Sequence, residues 1–153
     1  MSFRHIAAAS DFSEGADLAF GMARDLARQH GARLSVVHVI PPLITPSPLL
    51  DDMVVGELDL RLRENLGDNA QREMARRYLS RAEGVMTQAV VLEGDPTREL
   101  MDWIASQEVD LLVVGSTGLS GLAEAFFGSV AARAVRRAPC SVLVARRCAA
   151  ASC

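Results

Sequence analysis

The stretch Gly115-Ser-Thr-Gly118-Leu-Ser-Gly121-Leu-Ala-Glu-Ala-Phe-Phe-Gly128-Ser129-Val130 combines residue types suited to holding an anion. Two residues separate Gly115 from Gly118, and nine more lead to the pair Gly128-Ser129. Glycine has no Cβ, so the backbone N–H groups of such a loop can turn toward a phosphate and approach it closely. A helix beginning at Gly128-Ser129 would add N–H groups free of intrahelical acceptors and the positive end of the helix dipole. Ser116, Thr117 and Ser129 would add hydroxyl donors. The chemistry is a phosphate cradle that needs no lysine. The same letters also fit a glycine-rich turn before an N-cap serine, because glycine punctuates turns of every kind. Taken alone, the glycines weigh the two readings evenly.

Most other chemistry is excluded or weakly supported. All basic residues are arginine, and the chain has no lysine, which removes a Schiff-base lysine and a Walker A loop. His5, His30 and His38 lack metal-ligand spacing, and His38, inside an apolar strand, reads as a satisfied core residue. Asp11 by itself is more often a turn or capping acid than a metal ligand. No GxSxG elbow is present: Ser116 follows Val114-Gly115, and Ser120 precedes Gly121 directly. No residue stands out as a catalytic group. Cys140, Cys148 and Cys153 form no CxxC pair and read as free thiols, with Cys140 a small buried hydrophobe. The net charge of −3 argues against nucleic acid as a partner. The arginines at 72, 76, 77 and 81 fall at helical spacing and read as a solvated face, while Leu100 and Trp103 read as helix-to-sheet packing. No apolar run approaches the ~18 residues of a membrane span, and the N-terminal apolar stretch is short for a secretory signal. The expectation is a cytoplasmic protein that neither binds nucleic acid nor enters a membrane.

The elements that must position the loop can be read from the hydrophobic pattern. With 153 residues, the chain fits a single domain over residues 1–147, followed by a tail, 148–153. Strands are expected at Phe3–Ala9, Leu34–Ile40, Met86–Leu92, Asp110–Gly115 and Ser141–Ala145. Between them lie helices from the Ser13 N-cap to Gly31, from Glu57 to about Ala82 with a break near Gly67, from Thr97 to Gln107 and from Gly128 to Arg137. Prolines 41, 42, 46 and 48 make residues 41–56 irregular. Alternating strands and helices predict an α/β fold with one open, parallel, five-stranded sheet and helices on both faces. The uniformly apolar fourth strand fits burial on both sides. In such sheets ligands bind outside the carboxyl ends of the strands. The ends that matter are Ser10-Asp11, Val39-Ile40 and Gly115 onward.

Set between a strand and a helix, the G-x2-G-x9-G-[S/T] spacing resembles the nucleotide-binding signature of the universal stress protein family. The resemblance runs along nearly the whole chain, through Ser10-Asp11, His38-Val39, Val113-Val114-Gly115-Ser116 and Arg137-Ala-Pro-Cys-Ser-Val-Leu-Val144. It implies a Rossmann-like sheet of strand order 3-2-1-4-5 and a small, often dimeric, ATP-binding protein linked to stress responses. Gly115, Ser116, Gly118, Gly128, Ser129 and Val130 would hold phosphates and ribose, with Val114 and Thr117 beside them. The backbone of Val39 would meet the adenine. Ala9, Ser10 and Asp11 would line the nucleotide, Asp11 near the ribose or a phosphate-bound Mg²⁺. Many members have basic residues where Thr117, Leu119, Ala123 and Glu124 stand here, a departure that weakens the hold on a triphosphate and favours AMP; ADP is a further candidate. The partners implied are a second copy of the chain, paired through the fifth strand at the sheet edge, and an unidentified regulatory protein. Two rival functions are an interaction module without nucleotide affinity and a slow ATPase. A response-regulator receiver would need a lysine after the fifth strand. Nicotinamide-binding and flavodoxin folds would place their phosphate loop after the first strand, where only Ser-Asp-Phe-Ser stands.

Overall fold

The computed structural model describes residues 2–42, 52–116 and 128–147. Five strands form one parallel sheet: β1 (His5–Ser10), β2 (Arg33–Ile40), β3 (Thr87–Glu93), β4 (Leu111–Gly115) and β5 (Ser141–Ala145). Their order is 3-2-1-4-5, so β3 and β5 are the edges and β1 is central. Register places Ser10 beside His38 and Gly115 beside Ala145, which brings the carboxyl ends of β1, β2 and β4 to one rim. The helices are α1 (Glu14–His30), α2 (Asp52–Arg77), α3 (Pro96–Ser106) and α4 (Ser129–Arg137), with a 3-10 turn over Leu79–Arg81. The fold class and strand order are those expected from the sequence.

Local chemistry explains the boundaries. The Ser13 hydroxyl accepts from the Ala16 N–H at 3.2 Å, and Glu14 and Asp17 complement the positive end of α1. Gly31 ends the helix in the left-handed conformation, φ 65°, that glycine adopts without penalty. Asp95 caps α3 by accepting from the Arg98 N–H at 2.8 Å, with Pro96 in the first turn.

Alternation along the strands splits the core between the two faces. Ile6, Ala8, Leu34, Val36, Leu111 and Val113 pack with Phe20, Met74 and Tyr78 on the side of α1 and α2. Ala7, Val37, Leu112 and Val114 pack with Leu100, Ile104, Ala131 and Ala134 on the side of α3 and α4. Trp103 is half-buried in this second layer, as helix-to-sheet packing requires.

Several expectations are corrected. β1 begins at His5 rather than Phe3, and α2 begins at Asp52, so residues 52–56 are helical rather than irregular. Residues 43–51 of the proline-rich stretch lie outside the described residues. The helix does not break at Gly67, where a Cβ would meet nothing within 4 Å; a single glycine costs an exposed helix about 1 kcal/mol, too little to interrupt it. Arg77 does not belong to a solvated face. Its guanidinium donates to both carboxylate oxygens of Asp17, at 2.9 and 2.7 Å, and ties α2 to α1. Cys140 is free and half-buried, and burial pushes its thiol pKa up; Cys148 and Cys153 lie outside the described residues.

Candidate functional site

Where β1, β2 and β4 end, the starts of α1, α3 and α4 close around a cavity of about 330 Å³. Its floor is Ala9, Ser10, Val37 and Val39 of β1 and β2, with Val114 and Gly115 of β4. Asp11 and Ser13 enter from the turn before α1, Pro96 and Leu100 from α3, and Gly128, Ser129, Val130 and Ala131 from α4. The walls are largely apolar, with a few polar groups converging, which is the usual composition of a small-molecule site.

The polar end is the start of α4. Gly128 is the N-cap and has no side chain to satisfy the first turn. Its own N–H is not free, contrary to the sequence expectation: it donates to the Ser116 carbonyl at 2.8 Å. This bond joins the two ends of the glycine loop at its base. The Ser116 N–H is likewise used, donating to the Ala145 carbonyl at 2.9 Å. The intrahelical ladder begins with the Ala132 N–H on the Gly128 carbonyl, at 2.9 Å. Helix geometry therefore leaves the N–H groups of Ser129, Val130 and Ala131 at the cavity wall for an outside acceptor. With the dipole behind them and the Ser129 hydroxyl beside them, they can hold an anionic oxygen.

Gly115 is required by packing. A Cβ built there would stand 2.6 Å from the Gly15 carbonyl carbon and 2.7 Å from its oxygen. The bare backbone lets α1 start directly against the end of β4 and so narrows the cavity. Asp11 has a turn role as well as a place on the wall: its Oδ1 accepts from the Ser13 N–H at 3.0 Å. It is the one carboxylate among the described wall residues, and no group of three potential ligands occurs among the described residues. One carboxylate already engaged by a turn does not fit a protein-held Mg²⁺.

Of the residues singled out by sequence, Ala9, Ser10, Asp11, Val39, Val114, Gly115, Gly128, Ser129 and Val130 share this wall. Ser116 lies next to it, with its backbone spent on bracing the loop. Thr117 and Gly118 lie outside the described residues. Sequence reasoning did not find Ser13, Ala16, Val37, His38, Pro41, Pro96, Leu100 or Ala131. Five of these eight come from the starts of α1, α3 and α4, which lie beyond the strand ends where the rule for open sheets places ligands. His38 is half-buried, and its Nδ1–H donates to the Ser10 carbonyl at 2.8 Å, so the expected satisfied histidine also fastens β2 to β1 at the rim.

The class that these observations define is an α/β protein with one open parallel sheet and a cavity at the carboxyl ends of β1, β2 and β4. A family model described as the universal stress protein family matches residues 2–146. The chain belongs to the universal stress protein family. A universal stress protein of Thermus aquaticus is 30% identical over 94% of this chain and 99% of its own length. One from Staphylococcus haemolyticus is 33% identical over 95% of this chain and 86% of its own. Among solved structures, UspA from Lactobacillus plantarum is 26% identical with a TM-score of 0.76, covering 95% of this chain and 99% of that one. An Arabidopsis thaliana family protein with AMP bound has the same fold, at 23% identity and a TM-score of 0.60 over 95% of this chain and 93% of that one. So does a universal stress protein in complex with cAMP, at 23% identity and a TM-score of 0.64 over 95% and 98%. No helix among the described residues is long and apolar enough to cross a membrane.

Proposed function

We propose that this chain binds an adenine nucleotide, ATP or AMP, in the cavity at the start of α4, and that occupancy rather than turnover is what it communicates. The observation that supports this most is the first turn of α4, which has no side-chain cap among the described residues and whose N–H groups line a cavity bounded by three strand ends. The AMP and cAMP complexes of fold relatives support the same ligand class. Phosphate sits on the N–H groups of Ser129 to Ala131, the ribose lies by Asp11, and the base reaches the backbone of Val39. Any Mg²⁺ arrives on the phosphates of ATP.

Calorimetric titration with ATP, ADP and AMP tests the reading, and saturable one-to-one binding is the expected result. Ser129→Asp should abolish it while keeping the fold. A carboxylate at the first turn favours the helix start by about 0.3–1 kcal/mol yet repels phosphate from the cradle. A folded Ser129→Asp that binds as the parent does would place the site elsewhere.

The protein is not an enzyme on this reading. Ground-state binding of phosphates by N–H donors does not by itself speed hydrolysis. Turnover should fall well below the ~1 s⁻¹ at the low end of ordinary enzymes. Faster turnover lost in Asp11→Ala would mark an ATPase.

The quaternary proposal is a cytoplasmic homodimer, read by a regulatory protein and paired along β5. That strand lies at the sheet edge with Val142, Leu143 and Val144 half-buried, and apolar edges are normally covered. Sedimentation should give twice the 16.4 kDa chain mass, and Val142→Lys with Val144→Lys should halve it.

A further inference from the structure

The turn that brings Asp11 and Ser13 to the cavity is built on a bulky residue in an unfavourable conformation. Phe12 has φ 63°, in the left-handed region. A bulky side chain persists there only where the surroundings impose it. The surroundings here are specific. The Phe12 ring lies 4.4 Å from that of His38 and 6.4 Å from that of Tyr78, nearly parallel to the latter at 9°. The Phe12 N–H donates to the Ser10 hydroxyl at 3.1 Å, and the Ser10 hydroxyl lies 2.7 Å from the hydroxyl of Tyr78.

Tyr78 follows the last residue of α2 and is 0% exposed. It approaches from the α1–α2 side of the sheet, packed on Phe20 with ring centroids 4.9 Å apart, and is not part of the cavity wall. Burial pushes its pKa up to about 12, so the phenol stays protonated and available as a hydrogen-bond group. The bond to Ser10 opposes this rise, the Asp17 carboxylate adds to it, and the Arg77 guanidinium that clamps Asp17 opposes it. An unbroken set of contacts thus runs from α2 through Tyr78 and Ser10 to the backbone N–H of Phe12.

We propose that Tyr78 is a positioning residue of the nucleotide site. Through Ser10 it holds the turn of residues 10–13 in the conformation that puts Asp11 and Ser13 on the cavity wall. This rests on the nucleotide reading above.

Tyr78→Phe keeps the ring contacts and removes only the hydroxyl. AMP binding should weaken about fivefold, the scale of one hydrogen bond. With Asp11 at the ribose, the preference for AMP over its 2′,3′-dideoxy analogue should shrink as well, which mere loosening of the core would not produce. Ser10→Ala should act in the same direction. The double variant should be no weaker than Ser10→Ala alone, because both changes break one connected unit. In the ligand-free protein, hydrogen exchange at the Phe12 amide should quicken in both single variants. Parent-like affinity in either variant, or an equal loss for AMP and the dideoxy analogue, would overturn the proposal. If the parent bound no adenine nucleotide, the nucleotide reading would fall. Exchange at Phe12 would then decide separately, with faster exchange upholding the hold on the turn and unchanged exchange overturning it. Should Tyr78→Phe not fold, the same readouts on Ser10→Ala decide.

Discussion

Gly115→Ala is expected to destabilise the protein by about 1–3 kcal/mol, the usual scale for forcing a methyl group into a filled space, and to weaken nucleotide binding at least tenfold. The added Cβ would stand 2.6 Å from the carbonyl carbon of Gly15. That neighbour is backbone, so no side chain can swing aside. Either α1 lifts away from β4 or the end of β4 shifts. Each movement disturbs the wall that Gly115 shares with Ser13, Ala16 and Val114. Urea denaturation and nucleotide titration of the same sample would check both effects. Parent-like stability would mean that the α1–β4 contact is looser than described.

The second large effect lies at the opposite rim of the sheet. His5 is 2% exposed. Its Nδ1 meets the Gln107 carbonyl at 3.1 Å, an atom that only accepts, so Nδ1 carries the proton. In the neutral ring Nε2 is then an acceptor for the Ser35 hydroxyl at 2.8 Å, and Ser35 in turn accepts from Gln88 at 2.9 Å. Protonation would give Nε2 a hydrogen and strip the Ser35 hydroxyl of its acceptor. Burial lowers the His5 pKa from its ordinary 6.5, the Gln107 bond opposes this, the nearby Arg33 adds to the lowering, and Asp110 opposes it.

The sign follows from proton counts. Below pH 6.5 the unfolded chain takes up a proton that the folded chain still refuses, so stability falls as pH falls through this window. Above 6.5 the contribution is fully present. The Glu73 and Asp110 carboxyls, both held low in the folded state, begin to matter only near 4.5 and 3.8. Denaturation midpoints of the parent should therefore decline between pH 6.5 and 4.5. His5→Gln, which can donate and accept but does not titrate, should flatten that decline. His5→Leu should cost about 2 kcal/mol at neutral pH by taking away the acceptor of the buried Ser35 hydroxyl, while the Gln107 carbonyl keeps its bond from Arg33. An equal slope in parent and His5→Gln would assign the pH dependence to other groups.

The sheet was legible because its signals are local and redundant. Apolar strands, Ser13 as a cap, Gly31 as a stop and the strand–helix alternation all point one way. The strand order was legible only through the family resemblance, since hydrophobic pattern does not order parallel strands. At the site, the strand ends pointed to Ser10, Asp11 and Val39 and the family resemblance added Ala9, and all four lie on the cavity wall. What stayed hidden depends on distance along the chain. Nothing in the letters joins Gly115 to Gly15, Tyr78 to Ser10 or Arg77 to Asp17, and the bond between Gly128 and Ser116 spans the whole loop. The arginine at 77 was misread because helical spacing describes its own helix and not the neighbour it faces. The break expected at Gly67 overweighted an intrinsic cost that a long helix absorbs.

In the proposed complex an adenine nucleotide sits on the first turn of α4 across the ends of β1 and β2. Amide hydrogen exchange with and without ATP, resolved to single residues, tests it most directly. Strong protection is expected at Ser129, Val130 and Ala131, weaker protection at Ser10–Ser13 and Val39, and no change around His5 at the far rim. Saturating ATP that leaves 129–131 unprotected while protecting another part of the chain would contradict it.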